Sequence, residues 1–324
     1  MPVQSAASTP VHSGTAPAAV AAYRSSFDRW DRRASVRVKP RRTLADGAPG
    51  RPYFPPELVP AASHPLVVHS GPDAVDRVLV HRLYQYLFFT SELEQVAVMP
   101  VTMRLCRLGS QLPAQMREDA FKITTDEAWH AQFSHDLMAQ VHKGTGVAPR
   151  LPTTPQFADR LDQVSAGLDL GRRDIEATAF AIVSETLIST ILVDVPRDLR
   201  LPRAVRELVA DHAEDEGRHH AYFRALLDLF WPALSPAVRR RIGPVLPDLI
   251  RLFLEPDYRG IGFALFDLGL SDAQVAQVLA ESYPAERVDA EIAAAAQATV
   301  RYFGEVGALD EPATADAFLA AGLT

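Results

Sequence analysis

Apolar residues recur three or four positions apart in four long segments of the chain, which is the spacing of one buried helix face. The segments span residues 73–108, 114–144, 172–194 and 202–230. We expect Pro100 to kink the first helix, Gly144 and Gly146 to end the second, and Pro196 and Pro232 to stop the third and fourth. Alternating strand patterns are scarce, so the sequence predicts an all-α protein with a four-helix bundle core.

The rest of the chain divides into an N-terminal arm, residues 1–45, and a single domain, residues 46–324, that contains the bundle. Residues 1–20 are rich in Ala, Ser, Thr and Pro, which predicts a flexible tail. Basic residues crowd the remainder of the arm: Arg24, Arg29, Arg32, Arg33, Arg37, Lys39, Arg41 and Arg42. We interpret them as a solvated surface segment; an arm that binds an anion or a partner is the alternative.

Shorter elements surround the four long segments. A proline-rich stretch at 47–65 predicts an irregular strap, and residues 157–169 predict a short helix. Residues 235–322 predict a series of peripheral helices. We expect these to break near Pro244, Pro247, Pro256, Gly260, Pro284 and Gly304.

The net charge of −7 and the pI near 5.8 argue against a nucleic-acid partner, because phosphate binding needs clustered Lys and Arg. No apolar run approaches the roughly 18 residues that a membrane helix needs, so no membrane partner is expected. The N-terminus lacks the pattern of a secretory signal. One cysteine, Cys106, cannot build a disulfide framework, and a cytoplasmic location is the simplest interpretation.

Two similar motifs carry the candidate chemistry. Asp126-Glu127-x-x-His130 and Asp215-Glu216-x-x-His219 lie on two of the predicted long helices. Residues three apart share a helix face, so each motif offers a carboxylate and an imidazole to one ion. A single Glu-x-x-His arises often by chance, whereas two on separate helices form a much more specific signal.

Each motif follows a helix with a lone glutamate on its apolar face. Glu94 lies 33 residues before Glu127, and Glu185 lies 31 residues before Glu216. This is the layout of carboxylate-bridged di-metal bundles, and an unpaired carboxylate on such a face would cost several kcal/mol in desolvation. The alternative is that Glu94 and Glu185 are surface residues.

His212 lies one helical turn before Glu216 and two before His219, so it predicts a further ligand; a core histidine is the alternative. Asp126 and Asp215 are expected to accept hydrogen bonds from ligand imidazoles across the bundle, unless they are simple surface acids. Four carboxylates and neutral imidazoles fit two divalent ions of iron, with manganese as the alternative.

The chain resembles the p-aminobenzoate N-oxygenase family, which includes the chloramphenicol-pathway arylamine oxygenase. The resemblance runs from about residue 56 to about residue 241. It rests on Glu57-Leu58-Val59-Pro60, His64-Pro65-Leu66, Glu94-Gln95 with Pro100, Asp126-Glu127-x-x-His130, Ser184-Glu185-Thr186 and His212-x-x-Asp215-Glu216-x-x-His219. The extra histidine is the most specific of these features.

The resemblance implies a ferritin-like bundle with peripheral helices and a non-haem di-iron centre. Its ligands would be Glu94, Glu127, His130, Glu185, His212, Glu216 and His219. The implied activity uses O2 to oxidise a primary amine to hydroxylamine, nitroso and nitro products in antibiotic biosynthesis. An external electron donor, such as a reductase or ferredoxin, and a homodimer are implied as well.

Glu92 competes with Glu94 for the first ligand position, but two residues along a helix turn by about 200°, so only one can face the metals. The apolar neighbours favour Glu94. The family pattern places a basic residue about one turn before this glutamate to hold a substrate carboxylate, and here that position falls near Phe89. We assign Phe89 and Val98 to the substrate pocket. The missing basic residue argues against p-aminobenzoate as the substrate, and a less charged aromatic amine, a bulkier one or an aliphatic amine fits as well.

Three other functions remain open at this point. A di-iron enzyme of this kind could instead hydroxylate or desaturate carbon. A ferritin-like protein could handle iron without an organic substrate, although the long C-terminal part argues against this. A helical scaffold without metal is the fourth reading, which iron analysis would test.

Overall fold

The structure is a computed structural model that describes residues 23–44, 51–107, 111–167 and 170–324. In chain order the α-helices are α1 (Trp30–Arg33), α2 (Ser35–Val38), α3 (Pro65–Val68), α4 (Ala74–Leu93), α5 (Met99–Leu105), α6 (Ala114–Thr145), α7 (Gln156–Ala166), α8 (Leu170–Ile191), α9 (Arg203–Ala233), α10 (Pro236–Ile242), α11 (Leu246–Leu254), α12 (Tyr258–Asp267), α13 (Asp272–Ser282), α14 (Ala285–Glu305) and α15 (Pro312–Ala320). A π-helical turn, Glu94–Val98, joins α4 to α5. Short 3-10 turns occupy Pro56–Leu58, Pro60–Ser63, Val195–Arg197, Gly243–Val245 and Ala308–Asp310.

Four helical units form the core. The α4–π–α5 unit packs along α6, α8 packs along α9, and α6 contacts α9 to close the bundle. Helices α11 and α14 cover α8, and α12 covers α4. The predicted all-α bundle with peripheral helices is confirmed, and the described residues contain no strand. None of the described helices is both long and apolar enough to cross a membrane.

The first predicted helix is wrong as one continuous α-helix. It is interrupted by the π turn at Glu94–Val98, and α5 ends at Leu105; residue 108 lies outside the described residues. Pro100 explains the interruption, because proline has no N–H for the preceding turn and its ring crowds the carbonyl there. An extra residue in that turn relieves the clash. Glu94 opens the π turn and is fully buried.

Other predicted helix ends differ in detail. Gly146 ends α6 as predicted, with a φ of 72° that favours glycine, but Gly144 lies inside the helix. Helix α8 ends at Ile191, before residue 194. Pro232 does not stop α9, which continues to Ala233. Pro232 lies in the last turn and removes one backbone hydrogen bond. The burial of the neighbouring Trp231 side chain, which is fully buried, stabilises the helix end by more than that loss.

The peripheral region also keeps some helices where breaks were expected. Pro247, Gly260 and Gly304 lie inside α11, α12 and α14. Pro247 stands in the first turn of its helix, where proline is tolerated because its N–H would have no partner anyway. Gly260 stands in the first turn of α12, where its N–H donates to the Asp257 carboxylate at 2.9 Å. The prolines and glycines therefore mark helix starts as often as stops.

The arm from Tyr23 to Leu44 packs against α6 and α9. Phe27 is 2% exposed. Lys39 pairs with Glu214 at 3.0 Å, and Arg41 and Arg42 form bidentate pairs with acids of α6 and α9. The backbone of this part of the arm is therefore docked on the bundle, whereas most of its basic side chains stay exposed: Arg24, Arg29, Arg32, Arg33, Arg37 and Arg41. The interpretation as a solvated surface segment holds for those side chains but not for Lys39 and Arg42. Residues 1–22, with the predicted tail, and the domain boundary at residue 45 lie outside the described residues.

Candidate metal centre

Four helical units bring seven acidic and imidazole side chains together in the interior of the bundle. Each of them is 0% exposed: Glu94, Glu127, His130, Glu185, His212, Glu216 and His219. They come from the π turn, α6, α8 and α9. These are the seven side chains that the sequence analysis proposed as ligands, and none of them lies on the surface.

The seven side chains form two groups that share Glu216. One group is Glu94, His130, His212 and Glu216, and the other is Glu127, Glu185, Glu216 and His219. Within each group the potential ligand atoms all lie within 4.8 Å of one another. Each group has three or more nitrogen and oxygen donors from separate helices, so each could hold one ion with Glu216 bridging the pair.

Glu127 also lies between the groups. One of its carboxylate oxygens is 2.7 Å from His130 Nδ1, and the other is 2.8 Å from His219 Nδ1. On the opposite side Glu216 Oε1 is 3.0 Å from His212 Nε2. Two carboxylates therefore stand between three imidazoles, which is the arrangement in which carboxylates bridge two ions.

Many of these buried atoms have no hydrogen-bond partner. Both carboxylate oxygens of Glu94, Glu185 and Glu216 are unpartnered, as are Glu127 Oε1, His212 Nε2 and His219 Nδ1. The 2.8 Å contact between Glu127 and His219 lacks hydrogen-bond geometry. Buried polar atoms are nearly always satisfied in proteins. Atoms that converge at short distance without bonding one another fit a shared cation, so these residues fit a pair of metal ions.

Burial and the neighbouring charges shift the pKa values of the clustered side chains in different directions. Burial and the neighbouring glutamates raise the pKa of Glu94 and of Glu185 well above the ordinary value. Burial acts in the same direction on Glu216, but His219 and His212 outweigh it and hold the pKa of Glu216 well below its usual range. Burial opposes protonation of His130, yet the Glu127 carboxylate and Asp215 raise its pKa to about 10. Four carboxylates carry a formal charge that two divalent cations would balance.

The far nitrogens of two imidazoles contact aspartates across the bundle. His130 Nε2 is 3.1 Å from Asp215 Oδ2, and His219 Nε2 is 3.3 Å from Asp126 Oδ2. Both aspartates are fully buried. With a metal bound, an aspartate that accepts the outer N–H of a histidine would keep the ring neutral and its inner nitrogen free to bind the ion. Each Glu-x-x-His motif thus supplies the aspartate that orients the histidine of the other motif.

The N-terminal arm holds both aspartates. Trp30 Nε1 donates to both oxygens of Asp126 at 2.9 Å, and the backbone N–H of Ser35 donates to Asp215 at 3.1 Å. Phe27 stacks on the His219 ring with centroids 6.0 Å apart. The arm therefore contacts the candidate centre on two sides, each time through a carboxylate that orients an imidazole.

Replacing Trp30 by phenylalanine is expected to weaken iron binding about tenfold, because Asp126 loses its donor and His219 its fixed orientation. Competition against a chromophoric iron chelator measures the affinity. Trp129→Phe is the matched control, since Trp129 packs against Phe133 on the same bundle without contacting either aspartate. Equal iron affinities for Trp30→Phe and the wild type would contradict the positioning role of the arm.

His212 has a different outer partner from the other two histidines. Its Nδ1 is 3.3 Å from the hydroxyl of Tyr86, and its Nε2 faces Glu216. Sequence reasoning missed Tyr86, although Tyr86, Thr90 and Glu94 follow one another at four-residue steps along the same ridge. It also missed Trp30, for which the sequence near Asp126 contains no local signal.

The side chains of Glu94 and Glu92 lie on different sides of the helix, as the 200° turn between them predicts. Glu94 lies in the cluster and is fully buried, whereas Glu92 is half-exposed and belongs to neither ligand group. Phe89 lines a cavity of about 380 Å³ that also reaches Tyr86. Its ring packs against Phe157, with centroids 5.1 Å apart. Val98 is buried in the π turn and is not among the residues lining this cavity.

Comparison with known proteins identifies the relatives of this site. The family model described as P-aminobenzoate N-oxygenase AurF matches residues 25–307. The chain belongs to the p-aminobenzoate N-oxygenase family. The predicted resemblance is confirmed, and it extends beyond residues 56–241 at both ends. This family membership makes the chain an N-oxygenase and thus an oxidoreductase.

A curated member of the family, the 4-aminobenzoate N-oxygenase of Streptomyces thioluteus, is 26% identical over 229 residues. The match covers 69% of this chain and 68% of the relative. The matched family region includes all seven clustered side chains, and it also includes Trp30 and Ser35 of the arm.

Proposed function

We propose that this chain is a di-iron N-oxygenase that uses O2 to oxidise the amino group of an arylamine. The observation that carries the proposal is the pair of buried ligand groups sharing Glu216, with unpartnered atoms directed at one another. Membership of an N-oxygenase family supports the reaction type. Iron is favoured over manganese because the expected chemistry is oxidative, and both metals accept this mixture of carboxylate and imidazole ligands.

The seven clustered residues would hold the two ions, with Glu216 and Glu127 between them. Bound iron would supply the electrons and the Lewis acidity with which O2 is activated. The protein contributes fixed geometry, because all seven side chains are fully buried on four packed helical units. The same burial keeps bulk water away from the reacting amine.

Residues outside the ligand set keep the imidazoles in their reactive orientation. Asp126 and Asp215 would retain the outer protons of His219 and His130, and Tyr86 would fix His212. The cavity beside Tyr86 and Phe89 is the space in which an aromatic amine would approach the centre. Its aromatic walls suit stacking and edge contacts with a ring.

The amine is proposed to be an arylamine because the curated relative is named for 4-aminobenzoate. Its oxidation would pass through the hydroxylamine and nitroso levels towards the nitro product. An external reductase or ferredoxin would return electrons to the iron. A homodimer in the cytoplasm, serving antibiotic biosynthesis, completes the proposal.

The test is direct. The purified protein is loaded with Fe(II) without oxygen, exposed to O2, and incubated with a panel of arylamines and aliphatic amines. Mass spectrometry should find products one oxygen heavier than the arylamine, and nitro products after repeated turnover. Glu216→Ala, treated identically, should form neither. Oxygen found on carbon instead of nitrogen would favour the hydroxylase alternative, and no turnover of any amine would refute the proposal.

A further inference from the structure

The cavity next to the candidate centre contains a cation that no carboxylate neutralises. Arg82 of α4 is the single Lys or Arg among the residues lining it. Within the part of the chain that the structure describes, Arg82 forms no ion pair and no hydrogen bond. Its guanidinium carbon lies 4.9 Å from the centre of the Phe54 ring, and desolvation by burial lowers its pKa. Arg82 is partly exposed, and solvent in the cavity still reaches its nitrogens, since none of them is among the buried atoms without a partner. A ligand that enters the cavity can therefore bind the free guanidinium donors.

The carboxylates lining the same cavity have other partners. Glu57 pairs with Arg200 at 2.7 Å, and Glu255 pairs with Arg160. Asp257 is the carboxylate whose charge acts on Arg82. It accepts a hydrogen bond from the N–H of Gly260 at the start of α12. The fourth lining acid, Glu291, lies 3.6 Å from Arg287. Three of the four acids thus have an arginine partner and Asp257 has a backbone donor, whereas Arg82 has no carboxylate within ion-pair distance among the described residues. A ligand with an anionic end fits it better than a cationic ligand.

A second polar group in the cavity also lacks a partner. Gln85, next to Arg82 on α4, is 6% exposed and lines the cavity. Its side-chain amide makes no hydrogen bond to any described residue, and it is not among the buried groups sealed from solvent without a partner. Gln85 therefore offers the cavity a second free donor and acceptor beside Arg82. Arg82 and Gln85 together resemble the few placed polar groups that orient a ligand in an aromatic pocket.

The position of Arg82 sets the length of that ligand. Arg82, Tyr86, Thr90 and Glu94 follow at four-residue steps, so they share one ridge of the helix. Arg82 lies about 18 Å before Glu94 along the axis at 1.5 Å per residue. It lies about 10 Å beyond Phe89, where the family pattern expects its basic residue. An anion held at Arg82 therefore stands well beyond the length of one aromatic ring from the amine.

We propose that Arg82 and Gln85 form the distal recognition site of an elongated arylamine that carries a carboxylate at the end opposite its amino group. The carboxylate binds the Arg82 fork, and the aromatic body lies along Phe89 towards Tyr86. This proposal rests on the arylamine N-oxygenase function for the amino end of the ligand. The anionic end is recognised by residues that the metal ions do not touch.

Calorimetric binding without O2 tests the proposal independently of oxygen chemistry. The probes are 4-(4-aminobenzamido)benzoate, its uncharged analogue 4-amino-N-phenylbenzamide, and the short acid 4-aminobenzoate. The wild type should bind the long acid about tenfold more tightly than either of the other two. Arg82→Gln should abolish this preference, and Arg82→Lys should keep part of it, because lysine retains charge without the planar fork. Arg203→Gln, an exposed arginine paired with Glu207, is the control and should behave as the wild type.

Thermal melting of each variant confirms folding, and the wild-type comparison of the three probes stands even where Arg82→Gln does not fold. Equal affinity of the long acid and its uncharged analogue for the wild type overturns the proposal. So does a preference that persists in Arg82→Gln, or absence of binding by the long acid. Failure of amine oxidation with a retained Arg82-dependent preference would refute the oxygenase function while leaving the anion site in place.

Discussion

Alanine at Glu216 or at Glu127 is expected to cost the protein at least one of its two irons. Glu216 belongs to both ligand groups, and Glu127 belongs to one group while also contacting His130 of the other. Each substitution would therefore remove a carboxylate on which both ions are proposed to depend. Elemental analysis after anaerobic loading and desalting measures the loss. The wild type should retain two irons per chain, and each variant one or fewer.

Glu92→Ala is the matched control for this experiment. Glu92 lies two residues from Glu94, is half-exposed and belongs to neither ligand group. Its substitution should leave the iron content unchanged, whereas Glu94→Ala should lower it. Two irons retained by both Glu127→Ala and Glu216→Ala would exclude these side chains as ligands, and loss of iron in Glu92→Ala would overturn the choice of Glu94.

Removing the metal should lower the melting temperature by about 8 °C. Without a cation the glutamates of the cluster repel one another in a site from which water is excluded, and this raises the pKa of Glu94 and Glu185. A ligand at about 100 times its Kd adds about 2.7 kcal/mol per site. Two sites add about 5 kcal/mol, and with about 2.1 cal/mol/K of unfolding entropy per residue each kcal/mol is worth about 1.5 °C in a chain of 324 residues.

Calorimetry or circular dichroism, with and without a strong chelator, measures the shift. The Glu216→Ala variant serves as the control, because a protein that holds one ion or none should show at most half of the wild-type shift on addition of chelator. Identical melting of metal-loaded and metal-free wild type would contradict a centre that forms part of the folded core.

The sequence predicted the bundle and the composition of the cluster because both depend on local spacing. Helix periodicity located the four core units, and the doubled Glu-x-x-His motif, with a glutamate about thirty residues before each, indicated which side chains meet. A buried carboxylate on an apolar face is costly, so its repetition is unusual by chance. Glu94 could be chosen over Glu92 on helical geometry alone.

Features that depend on distant contacts were not predictable in this way. Trp30 contacts Asp126 across 96 residues, and Ser35 contacts Asp215 across 180. Nothing in the sequence around either aspartate records these partners. The π turn follows from Pro100 in a packed helix, which sequence periodicity registers only as a kink. Arg82 looks like any half-exposed helical arginine until the missing partners are visible.

The docking of the arm on α6 and α9 affects the order in which the protein folds. A ribosome releases Trp30 and Ser35 long before α6 and α9, the two helices on which they dock, so the arm must wait for residues up to about His219. Closing loops of that length is slow compared with forming helices. Until the arm has docked, Asp126 and Asp215 have lost their outer donors. The arm can therefore dock only after α9 has been synthesised, and until then a bundle that is already helical lacks the donors that hold Asp126 and Asp215.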